Sequence, residues 1–319
     1  MMRKRIWKKA ARSALPAAFL AGCFLLLLCS VPHVGEWIAE GGRIAFFKVL
    51  PATFPYLILT TLVCRSGMAR RIGAFFGRPF ARLFALPPAC ASAVLLGLLS
   101  GFPLGAKCAA ELYNESLCRK EDAERLLAFC NFCSPPFILS AVGQGIFGSA
   151  AVGWLIYIVQ SVFSLLFGIF YLRPKNRAPR VPAPPIRREG LSAALFTEAV
   201  ADAGLQSLRI AAFVLCFSIP VGALRGLLTS RPQLSRFLPL LAGALEISSG
   251  VASIEGRGLP ALAVACLVVG FSGLSVMMQA RSFTGEAGLS MRGYLWAHLL
   301  CPPATAAVCC LLSFALGLI

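Results

Sequence analysis

Four short polar breaks interrupt the apolar stretches of this chain, and their residue types suit the binding of a small solute. The first is Ser100-Gly101-Phe102-Pro103-Leu104-Gly105-Ala106-Lys107. Ser or Gly followed by Pro is a helix-start signal. A helix that starts inside an apolar segment presents unpaired N–H groups and the positive end of its dipole, which attract a carboxylate or phosphate. Lys107 stands one turn further on. It either adds a full positive charge to that site or lies in the cytoplasmic interface with its ammonium snorkelling to water.

The second break is Cys130-Asn131-Phe132-Cys133-Ser134-Pro135-Pro136. Its two prolines remove two backbone donors and unwind the span. Lipid offers the freed carbonyls no partner, so such a break belongs against protein or a wet cavity. Asn131 and Ser134 would there bind solute; a plain packing kink is the other reading. The third break holds Glu246, Ser248, Ser249 and Gly250 within LLAGALEISSG. A carboxylate at membrane depth is costly and is functional by default. It could carry a proton, hold a cation, or pair with Lys or Arg. The fourth is Gly270-Phe271-Ser272-Gly273-Leu274-Ser275, followed by Gln279. Its small residues serve either a solute or close helix packing.

Other chemistries have little footing. There is no HExxH, GxSxG, Walker A or Rossmann glycine pattern, so no enzyme is expected. Cys130 and Cys133 form a CxxC without a second pair or a nearby His, so neither a metal nor another cofactor is expected. Most of the 13 Cys lie inside apolar spans, where they act as small hydrophobes. His33 and His298 fall near expected membrane edges. Glu121, Asp122 and Glu124 read as a solvated helix start.

The elements that must position these breaks are membrane helices. Of 319 residues, 58% are hydrophobic and 13% charged, more apolar surface than a soluble domain of this length can cover. Full spans are expected at about 13–31, 44–64, 126–147, 150–172, 208–228, 258–280 and 294–318. The apolar run Ala14–Val31 follows a basic head but has no clear cleavage site, and reads as a retained span. The net charge of +17 sits in short loops, as the positive-inside rule requires. No basic stripe carries interleaved aromatics, which argues against nucleic acid. The N-terminus, the Arg-rich loop 65–82 and the Pro- and Arg-rich segment 173–188 are therefore placed in the cytoplasm.

Parity then constrains the rest. If 86–104 were a full crossing in addition to 126–147, the chain would return to the wrong side, so the stretch from residue 86 is expected to be a re-entrant hairpin turning at Ser100–Pro103. The stretch around Glu246 is expected to be a second hairpin, entering from the opposite side. Each half becomes span, hairpin, span, span, in opposite orientations, the pattern of inverted-repeat transporters. The expected organisation is a basic N-terminus and first helix over 1–43, a first repeat over 44–172, a linker over 173–190 and a second, inverted repeat over 191–319. The fold class is all-α and polytopic, with two re-entrant hairpins and broken helices.

SGFPLGAK, followed by KEDAERLLAFCNFCSPPFILSAVGQGIFGS, resembles the YlbJ-like sporulation integral membrane proteins, which carry the nucleoside-recognition, or Gate, domain. LEISSG and GFSGLSVMMQ look like that family's second half. The likeness covers roughly residues 40–318; the double Pro at 135–136 replaces an expected single Pro. The resemblance implies a core related to concentrative nucleoside transporters, a role in late sporulation and movement of dipicolinic acid across the outer forespore membrane. Dipicolinate, a planar dianion, would suit a helix start at Pro103 backed by Lys107. The expected site is thus Ser100, Gly101, Pro103, Lys107, Asn131, Ser134, Glu246, Ser248, Ser249, Ser272, Ser275 and Gln279, facing one another near the midplane. Expected partners are a small anion, the bilayer, H⁺ or Na⁺ as coupling ion, and further copies of the chain. The alternatives are an ion-coupled nucleoside permease centred on Glu246 and a non-transporting scaffold in spore assembly.

Overall fold

The computed structural model describes residues 31–171 and 190–319, together with Gly22 and Leu25. The expected first span at 13–31 and the Pro-rich linker lie almost wholly outside the described residues. Among those described, every regular element is helical.

The first half opens with α1 (Val31–Ile44), which runs through a π-helical turn into α2 (Leu50–Arg65). The loop expected before residue 44 is therefore helix. Its inner face carries Trp37 and Gly41, which pack against Gly222 and Ser218 of α9 (Ala193–Thr229). The Arg-rich loop expected at 65–82 is also helical, as α3 (Met68–Phe84). Arg71 and Arg82 share one face three turns apart, while Phe80 and Phe84 are buried on another, so amphipathicity overrides Pro79 and the glycines. After a 3₁₀ turn come α4 (Ala91–Ser100), α5 (Leu104–Asn114), α6 (Lys120–Leu126), α7 (Pro135–Phe147) and α8 (Ala150–Phe170). The span expected at 126–147 is thus helical only over α7, because α6 ends at Leu126 and the chain runs through a turn and non-helical backbone over 127–134.

After α9 come α10 (Leu238–Leu245), α11 (Ile247–Ala252), α12 (Leu259–Phe271), α13 (Gly273–Glu286) and α14 (Arg292–Ala315). Among the described residues, four helical stretches are long and apolar enough to cross a membrane: Ala150–Phe170, Ala193–Thr229, Leu259–Glu286 (α12 and α13 taken together across Ser272) and Arg292–Ala315. The first long helices of the halves, α1–α2 and α9, pack together, and so do the last, α8 and α14. One buried cluster joins the halves through Cys133, Ile138 and Ile156 on one side and Ile247, Cys266 and Cys309 on the other.

The end of α3 carries a testable strain. Ala85 follows it at φ 52° and ψ 42°, with its N–H donating to Ala81 at 3.1 Å. The left-handed region costs an L-residue about 1–2 kcal/mol, which glycine avoids. Ala85→Gly is expected to stabilise the protein by about 0.5–1 kcal/mol, read as a higher melting temperature in detergent.

Candidate functional site

The first two breaks interlock. Between α4 and α5 the chain turns at Gly101–Pro103, with Gly101 at φ 79° and a cis Phe102–Pro103 bond. Phe102 N–H donates to the Phe132 carbonyl at 2.7 Å, stitching this turn to the extended stretch between α6 and α7. Gly97 and Gly105, one on each arm, both face the Cys130 carbonyl, and Gly101 lies against Ser134. The prolines of the second break act differently from the expectation. Pro135 and Pro136 occupy the first positions of α7, where a missing N–H costs nothing. Ser134 is the N-cap, accepting from Phe137 N–H at 3.4 Å.

The third and fourth breaks also interlock. Glu246, 3% exposed, interrupts α10–α11 in extended backbone and accepts from Ser248 and Ser249 N–H at 3.0 and 2.7 Å. Its partners are thus the amide groups that start α11, not a Lys or Arg; the serines supply those amides. Gly273, at φ 81°, lies against the Gly243 carbonyl. Ser272, at φ 68°, shares a 3.2 Å hydrogen bond with Tyr294, whose ring stacks on His298. Gln279 donates to Ser275 at 3.3 Å within α13.

Beside the first, second and fourth breaks lies a small cavity of about 20 Å³. Phe102 and Asn131 wall it from the first half's breaks, and Gly270 from the fourth. Gln160 and Ser164 of α8 and His298 and Thr305 of α14 complete its polar lining. Asn131 is 4% exposed; its Nδ2 donates to the Leu127 carbonyl at 3.0 Å and its Oδ1 has no partner among the described residues. Gln160 Oε1 and Thr305 Oγ1 are likewise buried without a partner there, and so is the hydroxyl of Ser100 in the first break. His298 is 6% exposed, with Nδ1 at 2.9 Å from the Tyr294 carbonyl. No charged side chain of the described residues lines this cavity.

Lys107 does not snorkel. It is 3% exposed and lies away from the cavity, between α2, α5 and α9. Its ammonium donates to Asp202 at 2.8 Å, Thr61 at 2.7 Å and, more weakly, the Leu57 carbonyl at 3.5 Å. Glu111 stands at 3.6 Å. Its charge is therefore already compensated inside the protein.

Of the expected site residues, Asn131 reaches the cavity directly, beside Phe102. Ser100, Gly101, Pro103 and Ser134 build the interlocked turns around it. Ser272 reaches the cavity through Tyr294 and His298. Lys107 belongs to a separate ionic cluster, and Glu246, Ser248, Ser249, Ser275 and Gln279 are engaged within their own elements. Sequence reasoning missed Gln160, Ser164, His298 and Thr305. Their spacing was the available signal: 160 and 164 are four apart, and 298 and 305 seven apart, each pair on one helix face. It also missed Asp202, which lies just ahead of the span expected at 208–228.

No protein-family model matches the chain, and no solved structure matches it. It is similar to the sporulation integral membrane protein YlbJ of Bacillus subtilis (strain 168), 27% identical over 329 aligned residues that cover 90% of this chain and 80% of that protein. Together with the apolar helices, that match along nearly the whole chain supports a YlbJ-like family of integral membrane proteins for this sequence.

Proposed function

We propose that this chain moves a small polar metabolite across a membrane during sporulation, binding it where the breaks of its two halves meet. The relative's name supports a sporulation-linked membrane role. In this reading the chain forms two inverted repeats, each a re-entrant hairpin set against a broken helix. One observation carries the transport reading: Asn131, Gln160 and Thr305 present buried, unpartnered polar atoms around one cavity at the breaks. A buried unpaired polar group costs about 1–3 kcal/mol, and a native fold retains several together where a ligand satisfies them. At about 20 Å³ the cavity suits a single water, so a solute is admitted only when the surrounding helices part.

The resemblance to the YlbJ-like family points to dipicolinate as the solute. One observation favours a second reading. The cavity offers amide, hydroxyl and imidazole groups, while the expected cation, Lys107, is bound to Asp202. Such a lining suits an uncharged ring with flanking polar groups, as in a nucleoside. Uptake of labelled dipicolinate and labelled uridine into proteoliposomes separates the two. Saturable uptake of one of them is expected, lowered at least tenfold by Gln160→Leu with the protein still folded. Absence of flux for both solutes would leave the non-transporting scaffold in front.

A further inference from the structure

The ionic cluster around Lys107 is asymmetric. Lys107 has three N–H donors, and they go to Asp202, Thr61 and the Leu57 carbonyl. Thr61 donates in turn to Asp202 at 3.0 Å, and Gln206 donates to its other oxygen at 3.4 Å. Asp202 is thus fully served. Glu111 is not. Its Oε1 lies 3.6 Å from the ammonium, beyond hydrogen-bond distance, and its Oε2 is buried without a partner among the described residues.

The charged neighbours on every packed element have other engagements. From α2, the Cys64 thiol is a weak hydrogen-bond neighbour of Glu111 and the Arg65 charge favours its anion, but Arg65 is itself paired with Glu198 of α9, and burial opposes both. Its own helix contributes Lys107, and α9 contributes Asp202. The helices α6 and α13 also pack on α5. Their charges are engaged elsewhere, Arg125 with the carbonyls of Phe84 and Ala85, Asp122 with the Arg119 amide, Glu124 with the Ser290 amide, Arg281 with the Leu289 carbonyl and Glu286 with Arg209, or exposed, as Lys120 and Glu121 are. Among Lys107, Arg65, Glu111, Asp202 and Glu198 there are two positive groups and three carboxyls. One proton balances them. A buried carboxylate with an unpaired oxygen is expensive as an anion and far less so as the neutral acid.

We propose that Glu111 is the proton-binding site of this transporter and that Lys107 is its switch. In the arrangement seen here Lys107 is bound to Asp202 and Glu111 holds the proton. Lys107 and Glu111 lie on α5 of the first half, and Asp202 on α9 of the second. When the halves shift and the Lys107–Asp202 contact opens, the ammonium turns to Glu111, four residues along its own helix, and Glu111 releases its proton. Proton release is thereby tied to the same movement that must part the helices around the cavity. The coupling ion is H⁺ and its site is Glu111, away from Glu246, whose two oxygens are held by backbone amides.

This rests on the transport reading, so two readouts are needed. The first does not require transport. Infrared difference spectra of the purified protein, taken across a pH titration, are expected to show a protonated carboxyl band near neutral pH in wild type that disappears in Glu111→Gln. A wild-type band unchanged in Glu111→Gln, or no such band, would overturn the proposal whatever the protein transports. The second uses proteoliposomes. Wild type should accumulate solute several-fold more under an inward proton gradient, while Glu111→Gln should keep gradient-independent exchange and lose that stimulation. Gradient-driven accumulation that survives in Glu111→Gln would also overturn it.

Discussion

Asp202→Ala is expected to destabilise the protein by about 3 kcal/mol, the low end of what removing one partner of a buried ion pair costs. Lys107 is buried among α2, α5 and α9, and Asp202 is its short partner at 2.8 Å. Without it the ammonium keeps only Thr61, Leu57 and the more distant Glu111. Glu111 can give up its proton and take the contact, which is why the loss falls at the low end. Removing that refuge should deepen it: the double variant Asp202→Ala/Glu111→Gln is expected to lose about 5 kcal/mol or not to fold. Replacing both ions, as Asp202→Ala/Lys107→Met, should recover most of the stability, because no charge is then stranded. Melting temperatures in detergent, at matched protein concentration, check all three. A single-variant loss that Lys107→Met does not repair would mean that Asp202 acts through packing alone.

The second large effect is expected at Gly105. A methyl group there would overlap the Cys130 carbonyl oxygen and crowd Asn131. Backbone cannot swing away as a long side chain can, so Gly105→Ala has to push the α4–α5 turn off the α6–α7 stretch. The expected loss is above about 4 kcal/mol, in the range reserved for disrupted cores and strained backbone. Gly226→Ala is the matched control. It lies within α9 with nothing within 4 Å of the added atom, and should stabilise by about 0.5–1 kcal/mol through helix propensity. Size-exclusion profiles and melting curves of the two variants should diverge in opposite directions from wild type.

These two sites show how far the sequence could be read. Four of the expected apolar spans and the four breaks were legible because hydropathy and Gly/Pro punctuation are local signals, and the chain is non-helical at each break. Where they led astray, a second local signal competed with a tertiary one. Pro135-Pro136 looked like an unwound point within a span and is a helix start, because Ser134 caps it. Residues 65–82 looked like a loop because their charges and Pro79 hid a periodic apolar face. Lys107 looked like an anion site because its partner Asp202 lies 95 residues away, at a distance no spacing argument spans. Glu246 looked ionically active because the amides that hold it are backbone, which sequence leaves unmarked. The cavity itself needed both halves folded together: Asn131 was visible as a polar residue at a break, whereas Gln160, Ser164, His298 and Thr305 gain meaning only when α8 and α14 pack.

The central claim is that solute passes through the cavity between the breaks, and Cys301 reports on it directly. It lines the cavity and is partly buried, whereas most other described cysteines are fully buried. The measurement is the rate of Cys301 alkylation by a membrane-impermeant maleimide, resolved by peptide mapping and applied in turn to each face of oriented proteoliposomes. The reagent is expected to reach Cys301 from both faces, and dipicolinate or uridine to slow labelling from both. Labelling from one face only, at a rate neither solute changes, would contradict passage through this cavity.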